Sequence, residues 1–264
     1  MTDADDRRRE LGRFLRARRE QAPRAEYGLP PVGRTRDTGL RREEVAYLSG
    51  VSVTWYTWLE QGRPINPSRS VLDAVARTLR LSPPEHEYLL SLAGFGLAPL
   101  APAVAVEDAP PHLQRLLDAL APNPAFALAP DWGIVGWNRG YADLYPRVAV
   151  VPRDDRNLLW LVYTDPAVRE LLPDWEETSG RFLAEFRAET GPRAGDASVR
   201  ALVERLRAAS PEFRAAWDRY GIGGFESRER RFHHPRDGDV RLEHHQLTPS
   251  DRPDLRVVVY TALA

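Results

Sequence analysis

Residues 41–62, RREEVAYLSGVSVTWYTWLEQG, constrain this chain more than any other stretch. They read as two short helices joined by a tight corner. Val45, Ala46 and Leu48 give the first helix an apolar face. The corner is Ser49-Gly50-Val51-Ser52, where Gly50 can take the positive φ that ends a helix. Ser52 is a good N-cap for a second helix over 53–61, and Gly62 is a good stop. A small residue at 46, a glycine four positions on and an apolar residue after it let two helices cross closely. Corner, cap, stop and spacing agree on a helix-turn-helix rather than an ordinary helical hairpin. In that motif the second helix enters the DNA major groove.

The rest of the N-terminal part fits around this motif. A first helix is expected over about 6–21, with Leu11, Phe14, Leu15 and Ala22 on one face and arginines on the other. Residues 23–39 carry three Pro and three Gly and read as a long loop. Ser68 caps a fourth helix with Val71, Leu72, Val75 and Leu79 inward. Ser82 caps a fifth that starts at Pro83 and turns Tyr88, Leu89, Leu92 and Ala93 inward. The expected organisation is an all-α five-helix DNA-binding domain over 1–96, an Ala/Pro-rich semi-stiff linker over 97–110, and a second domain over 111–264.

That second domain begins with a helix bearing Leu113, Leu116, Leu117 and Leu120. Short strands follow at 125–129 and 133–137 around a Pro-Asp-Trp-Gly turn. Helices are expected over 138–145, 156–163, 175–190, 197–209 and 211–220, then strands over 224–234, 240–247 and 255–261. Arg236-Asp237-Gly238-Asp239 is the hairpin turn between the first two of these. This is an α+β domain of sensor type.

Composition narrows the class. Apolar content of 42% and seven Trp are enough for a real core. There is no Cys, which excludes disulfides, thiolate metal sites and thiol catalysis. The N-terminus has no apolar run that reads as a signal peptide, and no window approaches the ~18 apolar residues of a membrane span, so a cytoplasmic protein is expected. Before residue 96 there are 16 Arg against 13 acidic residues, a charge of +3; the remainder is −4. Only the first part is charged to meet phosphate. All 37 basic residues are Arg.

Enzyme signatures are missing: there is no Gly-rich phosphate loop, no GxSxG and no HExxH. GIGG at 221–224 lacks a strand-loop-helix context. His233, His234, His244 and His245 fall on neighbouring strands, but adjacent histidines point to opposite faces of a strand, and no metal site is expected.

The expected DNA-reading set is Arg41, Arg42, Ser52, Val53, Thr54, Trp55, Thr57, Trp58 and Arg63. Thr54 and Thr57 suit base edges and Val53 suits a thymine methyl. Arg41, Arg42 and Arg63 suit backbone phosphates, the first two helped by the helix dipole. Tyr56 and Leu59 point inward on this reading. For Trp55 and Trp58 two readings stay open, packing on sugar and methyl groups or packing in the core. In the second domain the expected ligand set is Trp137, Asn138, Tyr141, Trp160, Tyr163, Phe182, Phe186, Arg187, Trp217 and His234. The aromatics would wall an apolar cavity, with Arg187 and His234 as partners for a carboxylate or hydroxyl. Asn138 has the competing reading of a helix cap, and Arg187 that of a surface ion pair.

The motifs LGRFLRARRE, TGLRREEVAYLSGVSVTWYTWLEQGR and LDAVARTLRLSPPEHEYLLSLAG resemble the helix-turn-helix domain of Xre-type bacterial regulators. With GWN at 136–138, RNLLWLVYTDPAVRELLPDWEE at 156–177, SPEFRAAW at 210–217 and the HHP ending at 235, nearly the whole chain resembles the MmyB-like regulators. The resemblance implies a lambda-repressor-like first domain and a PAS-like ligand-binding second domain. It also implies a fatty-acid-like or other apolar effector, homodimers, double-stranded DNA as partner, and neither catalysis nor a cofactor. One departure is Trp58, where such regulators usually carry a polar or Arg residue. Two competing classes are an enzyme or carrier for an apolar small molecule with an accessory DNA-binding module, and a pure interaction module. The reading predicts that Arg42→Ala weakens binding to every DNA sequence and lowers the log–log salt slope by about one, checked by titrations across a salt series.

Overall fold

A computed structural model describes residues 3–30, 39–95, 108–193 and 195–263. The chain divides into two compact units. One comprises Met1–Ala98 with Arg187–Arg200 and Asp218–Gly224; the other comprises Pro99–Phe186, Ala201–Trp217 and Phe225–Ala264.

In the first unit, α1 is Asp3–Gln21, α2 Arg42–Ser49, α3 Val53–Glu60, α4 Arg69–Thr78 and α5 Pro83–Leu92. The 23–39 segment contains a 3-10 turn, Arg24–Tyr27, not anticipated from its Pro and Gly content; 31–38 lie outside the described residues. Phe14, Leu15, Val45, Ala46, Tyr56, Leu59, Leu72, Val75, Tyr88 and Leu89 form one buried cluster. Gly50 sits at φ +70 and ends α2, its N–H bonded back to the Tyr47 carbonyl. Ser52 caps α3 by accepting from the Trp55 N–H at 3.1 Å. Gly12 lets α1 touch α3: a Cβ there would stand 2.3 Å from the Glu60 carbonyl oxygen. Leu48 departs from its expected place, since it is exposed and the inward face of α2 is carried by Val45 and Ala46. The helix turns only two of its residues fully inward because it is eight residues long.

The centre of the unit is an ion cluster. Glu60 on α3 accepts from Arg19 Nε on α1 at 2.5 Å and from Arg42 Nε on α2 at 2.7 Å. Arg19 also donates through Nη1 to the Leu40 carbonyl at 2.8 Å, which fixes the entry to α2. Arg24 makes a second pair, a two-pronged one, with Glu44 at 2.5 and 2.6 Å.

Two segments from later in the sequence complete this unit. Tyr220 and Ile222 pack on its core. The Arg18 side chain donates to the Tyr220 carbonyl, and Gln21 to that of Arg219 at 2.9 Å. Gly191 abuts the Tyr88 ring so closely that a Cβ would overlap it. Tyr88 and Tyr220 both donate to Glu10, at 3.0 and 3.4 Å.

In the second unit, α6 is Pro111–Ala119, β1 Ala125–Leu128, β2 Ile134–Trp137, α7 Arg139–Leu144, α8 Leu158–Thr164, α9 Pro166–Leu171, α10 Trp175–Thr190, α11 Ala197–Ala209, α12 Pro211–Asp218, β3 Arg228–His234, β4 Gly238–Leu247 and β5 Arg256–Ala262. The last turn of α10 and the first residues of α11 belong to the first unit. The strands form an antiparallel five-stranded sheet in the order β2-β1-β5-β4-β3. The β3–β4 hairpin turns at 235–237, and Gly238, at φ +71, opposes His234. One sheet face, with Ala125, Ala127, Val257 and Val259, packs on Leu113 and Leu117 of α6. The other carries Phe126, Tyr260 and Phe232 toward helical elements that include α8, α9 and α10. The unexpected helix is α9, capped by Asp165 accepting from Ala167 N–H at 2.9 Å.

Glu60→Ala leaves Arg19 buried without its carboxylate, and removing one member of a buried pair costs about 3–5 kcal/mol. Chemical denaturation of the variant is expected to show a loss of that order.

Candidate functional site

The first candidate surface is the outward side of α3. Its inward side is committed: Tyr56 and Leu59 are buried and Glu60 is held by Arg19 and Arg42. Val53, Thr54 and Trp58 are left exposed, with Thr57 half-buried beside them. Trp55 is half-buried against the core. Trp58 lies at the surface with the Arg63 guanidinium 5.7 Å from its ring. Arg41 is exposed before α2, where its own N–H donates to Glu44 at 2.7 Å. Arg42 is 40% exposed along its side chain while its Nε is engaged by Glu60. An Arg42 substitution therefore also removes one of two cations on a buried carboxylate. Tyr47, 85% exposed, and Leu48 add an apolar strip on α2 that the sequence reading placed partly inside.

The second candidate is a cavity of about 40 Å³ inside the second unit. Its walls are Phe126 and Tyr260 from the sheet, Phe232 from β3, Tyr141 and Tyr145 from α7 and its end, Phe182 from α10, and aliphatic residues of α7, α8, α9 and the turn after α9. Tyr145 donates to Asp165 Oδ2 at 2.7 Å, and Arg147 Nε reaches the same oxygen at 3.0 Å. Burial and the Asp165 carboxylate push the Tyr145 phenol far above its usual range, so it stays a donor. Burial likewise raises Tyr260 to about 12.

Two expected ligand residues, Tyr141 and Phe182, line this cavity; the others take different places. Asn138 is a structural cap. It accepts from Tyr141 N–H and Ala125 N–H and donates to the carbonyls of Leu117 and Asn123. Trp137 lies under the Arg156 guanidinium and Trp160 under that of Arg205. Tyr163 donates to the Ser179 carbonyl at 3.0 Å. Phe186 packs edge-on against Trp132, and Trp217 stacks on Phe213. Arg187 is 1% exposed, but it lies in the first unit, 4.3 Å over the Tyr220 ring. His234 accepts from the Arg236 and Asp237 N–H groups in the hairpin turn. These side chains are large or polar, as a pocket lining would be, yet each is taken up by core packing or capping.

The reading from sequence missed Arg230. It is 4% exposed on β3, its guanidinium 4.9 Å over the Phe182 ring. Its Nη2 is 3.5 Å from His244 Nδ1, and its Nε and Nη1 have no hydrogen-bond partner. The signal was period-two alternation: Arg228, Arg230 and Phe232 share a strand face, and Phe232 is plainly a core residue. His244 stacks on Tyr260 with centroids 5.0 Å apart. Burial first, then the Arg230 and Arg228 charges, lower its pKa to about 3.

Among the described residues no group of three His, Cys, Asp or Glu is placed to hold a metal, and no helix is long and apolar enough to cross a membrane. His233 pairs with Asp239, and His245 with Thr261.

Residues 10–89 match a model of a helix-turn-helix domain, and residues 109–264 match the model of the MmyB-like transcription regulator ligand binding domain. The chain belongs to the MmyB-like transcription regulators. A comparison with curated proteins returned no match. The pairing of the two domains makes this a ligand-responsive, DNA-binding regulator.

Between pH 6.5 and about 3 the unfolded chain binds a proton that folded His244 refuses. Stability is therefore whole above pH 6.5 and falls as acid is added, by up to about 1.4 kcal/mol per pH unit from this group. His244→Gln is expected to lower the slope of unfolding free energy against pH by about one proton in that window.

Proposed function

We propose that this regulator binds operator DNA as a homodimer in the cytoplasm, reading bases with α3, and that an apolar, fatty-acid-like molecule in the second unit modulates that binding. The observation that carries the DNA half is the division of α3. One face is anchored by Tyr56, Leu59 and the Glu60 ion cluster, while Val53, Thr54 and Trp58 are exposed, with Thr57 beside them. A rigidly held helix with short polar and apolar groups outward matches the needs of major-groove readout. Arg41, Arg42 and Arg63 are the proposed phosphate contacts, and Ser52 and Trp55 set the start of the helix at the groove.

The effector half is supported by the cavity behind Phe126, Tyr141, Phe182, Phe232 and Tyr260. The 2-1-5-4-3 strand order, with one face covered by helices around that cavity, supports a PAS-like reading of the domain. At about 40 Å³ the space is well below the roughly 150 Å³ in which a benzene-sized guest fits. An occupant enters by parting the aromatic and aliphatic walls. Binding is thereby linked to a change of conformation, and only a difference in affinity between two states lets a ligand act on DNA binding. The reading involves no catalysis and no cofactor.

The test is selection of bound sequences from a randomised duplex pool, followed by titration of the selected site. Thr54→Ala and Thr57→Ala are expected to cost roughly 1–3 kcal/mol of discrimination with an unchanged salt slope, and Arg63→Ala to lower the slope by about one. Recovery of no preferred sequence would sink the DNA-reading proposal.

A further inference from the structure

Buried guanidinium groups in a folded chain are normally matched by carboxylates, because an uncompensated charge in a poorly solvated site is costly. In the first unit Arg19, buried, meets Glu60 and the Leu40 carbonyl in this way. On β3 of the second unit the match is incomplete. Arg230 is buried on β3, and burial, with repulsion from Arg228 and Arg181, lowers its pKa. Its Nε and Nη1 are unbonded, and the Nε of neighbouring Arg228 is likewise without a partner. The nearby carboxylate is Glu185, whose Oε1 already accepts from Arg228 Nη2 at 2.5 Å. His244 is held neutral and supplies only an acceptor nitrogen. Buried Arg230 and half-buried Arg228 thus share one carboxylate, and Arg181 outside them pairs with Glu177. The local charge is one negative group short.

The same arginine stands directly behind the cavity. Its guanidinium covers the face of Phe182, and it is electrostatically coupled to Tyr260; both rings line the space. Phe232, two residues along β3 and on the same strand face, lines it as well. Arg228, Arg230 and His244 are therefore polar neighbours of an otherwise apolar chamber.

We propose that Arg230 is the specificity-determining anchor of the effector. The effector carries an anionic, carboxylate-like end that accepts from Nε and Nη1 of Arg230, while its apolar body occupies the space between Phe126, Phe182, Phe232 and Tyr260. This deepens the effector reading above and rests on it. A planar guanidinium with two free N–H groups fits a carboxylate in a two-pronged arrangement, which a neutral alcohol cannot reproduce. Anion binding also supplies the missing negative charge, so the site discriminates by charge first and by hydrocarbon second.

The test uses the full chain with two probes of equal chain length, decanoate and decanol, each below its aggregation concentration, titrated by calorimetry. Decanoate is expected to bind the wild-type protein at least about tenfold more tightly than decanol. In Arg230→Met and Arg230→Gln that preference disappears, while decanol affinity stays within about twofold. The ligand-free variants should melt at or above the wild-type Tm, since an uncompensated buried charge is gone. A preference for decanoate that survives in both variants overturns the anchor and leaves the effector reading standing. Failure of both probes to bind the wild type overturns the two together. A lowered Tm in both ligand-free variants shows that the guanidinium is already compensated within the fold, and overturns the anchor.

Discussion

The second helix of the helix-turn-helix, α3, is held by a buried carboxylate. Glu60 gathers Arg19 from α1 and Arg42 from α2, and Arg19 reaches on to the Leu40 carbonyl ahead of α2. Three helices are thereby fixed by one side chain on the inner face of α3, beside Tyr56 and Leu59. A hydrophobic contact would hold the helices equally close but would not set their rotation about one another. The hydrogen-bonded carboxylate does, because its oxygens demand donors from defined directions. The close passage of Gly12 against the Glu60 carbonyl complements this, since any side chain at that point would push α1 off α3.

The second unit treats its buried arginines differently. Around Arg230 two guanidinium groups, its own and that of half-buried Arg228, share the Glu185 carboxylate, and the uncompensated N–H groups lie near an apolar cavity rather than within a satisfied network. A strain of this kind lowers stability and persists where it serves another purpose. In two other places in the unit polar groups form closed networks: Asn138 makes four hydrogen bonds, and Tyr145, Arg147 and Asp165 satisfy one another. The Nε and Nη1 of Arg230 have no such partners.

Much of the architecture was legible because its signals are local. The Ser52 cap, the Gly50 corner, the capped starts of α4 and α5, the sheet strands and the β3–β4 hairpin each follow from residues within a few positions of one another. The helix α9 escaped notice for a physical reason: at six residues it is too short to display an amphipathic period, and Asp165 with Pro166 is its main local mark. Leu48 was misplaced because a helix of eight residues has few inward positions, and its neighbours took them.

The candidate sites were less legible, and the difference is one of range. Seven tryptophans and 37 arginines look alike in sequence. Which aromatic lines a cavity and which guanidinium meets a carboxylate are set by partners dozens or hundreds of residues away. Arg19 meets Glu60 41 positions on, and Arg18 meets the Tyr220 carbonyl 202 positions on. The sequence by itself determined the helix-turn-helix corner, the caps, the alternation of the strands and the family. Only the tertiary structure decided that Arg187 belongs with Tyr220 in the first unit, that Asn138 is spent on capping, and that Arg230 is buried without a full complement of acceptors. Backbone conformation is chosen by neighbours in the chain, whereas burial and charge pairing exist only once distant segments have met.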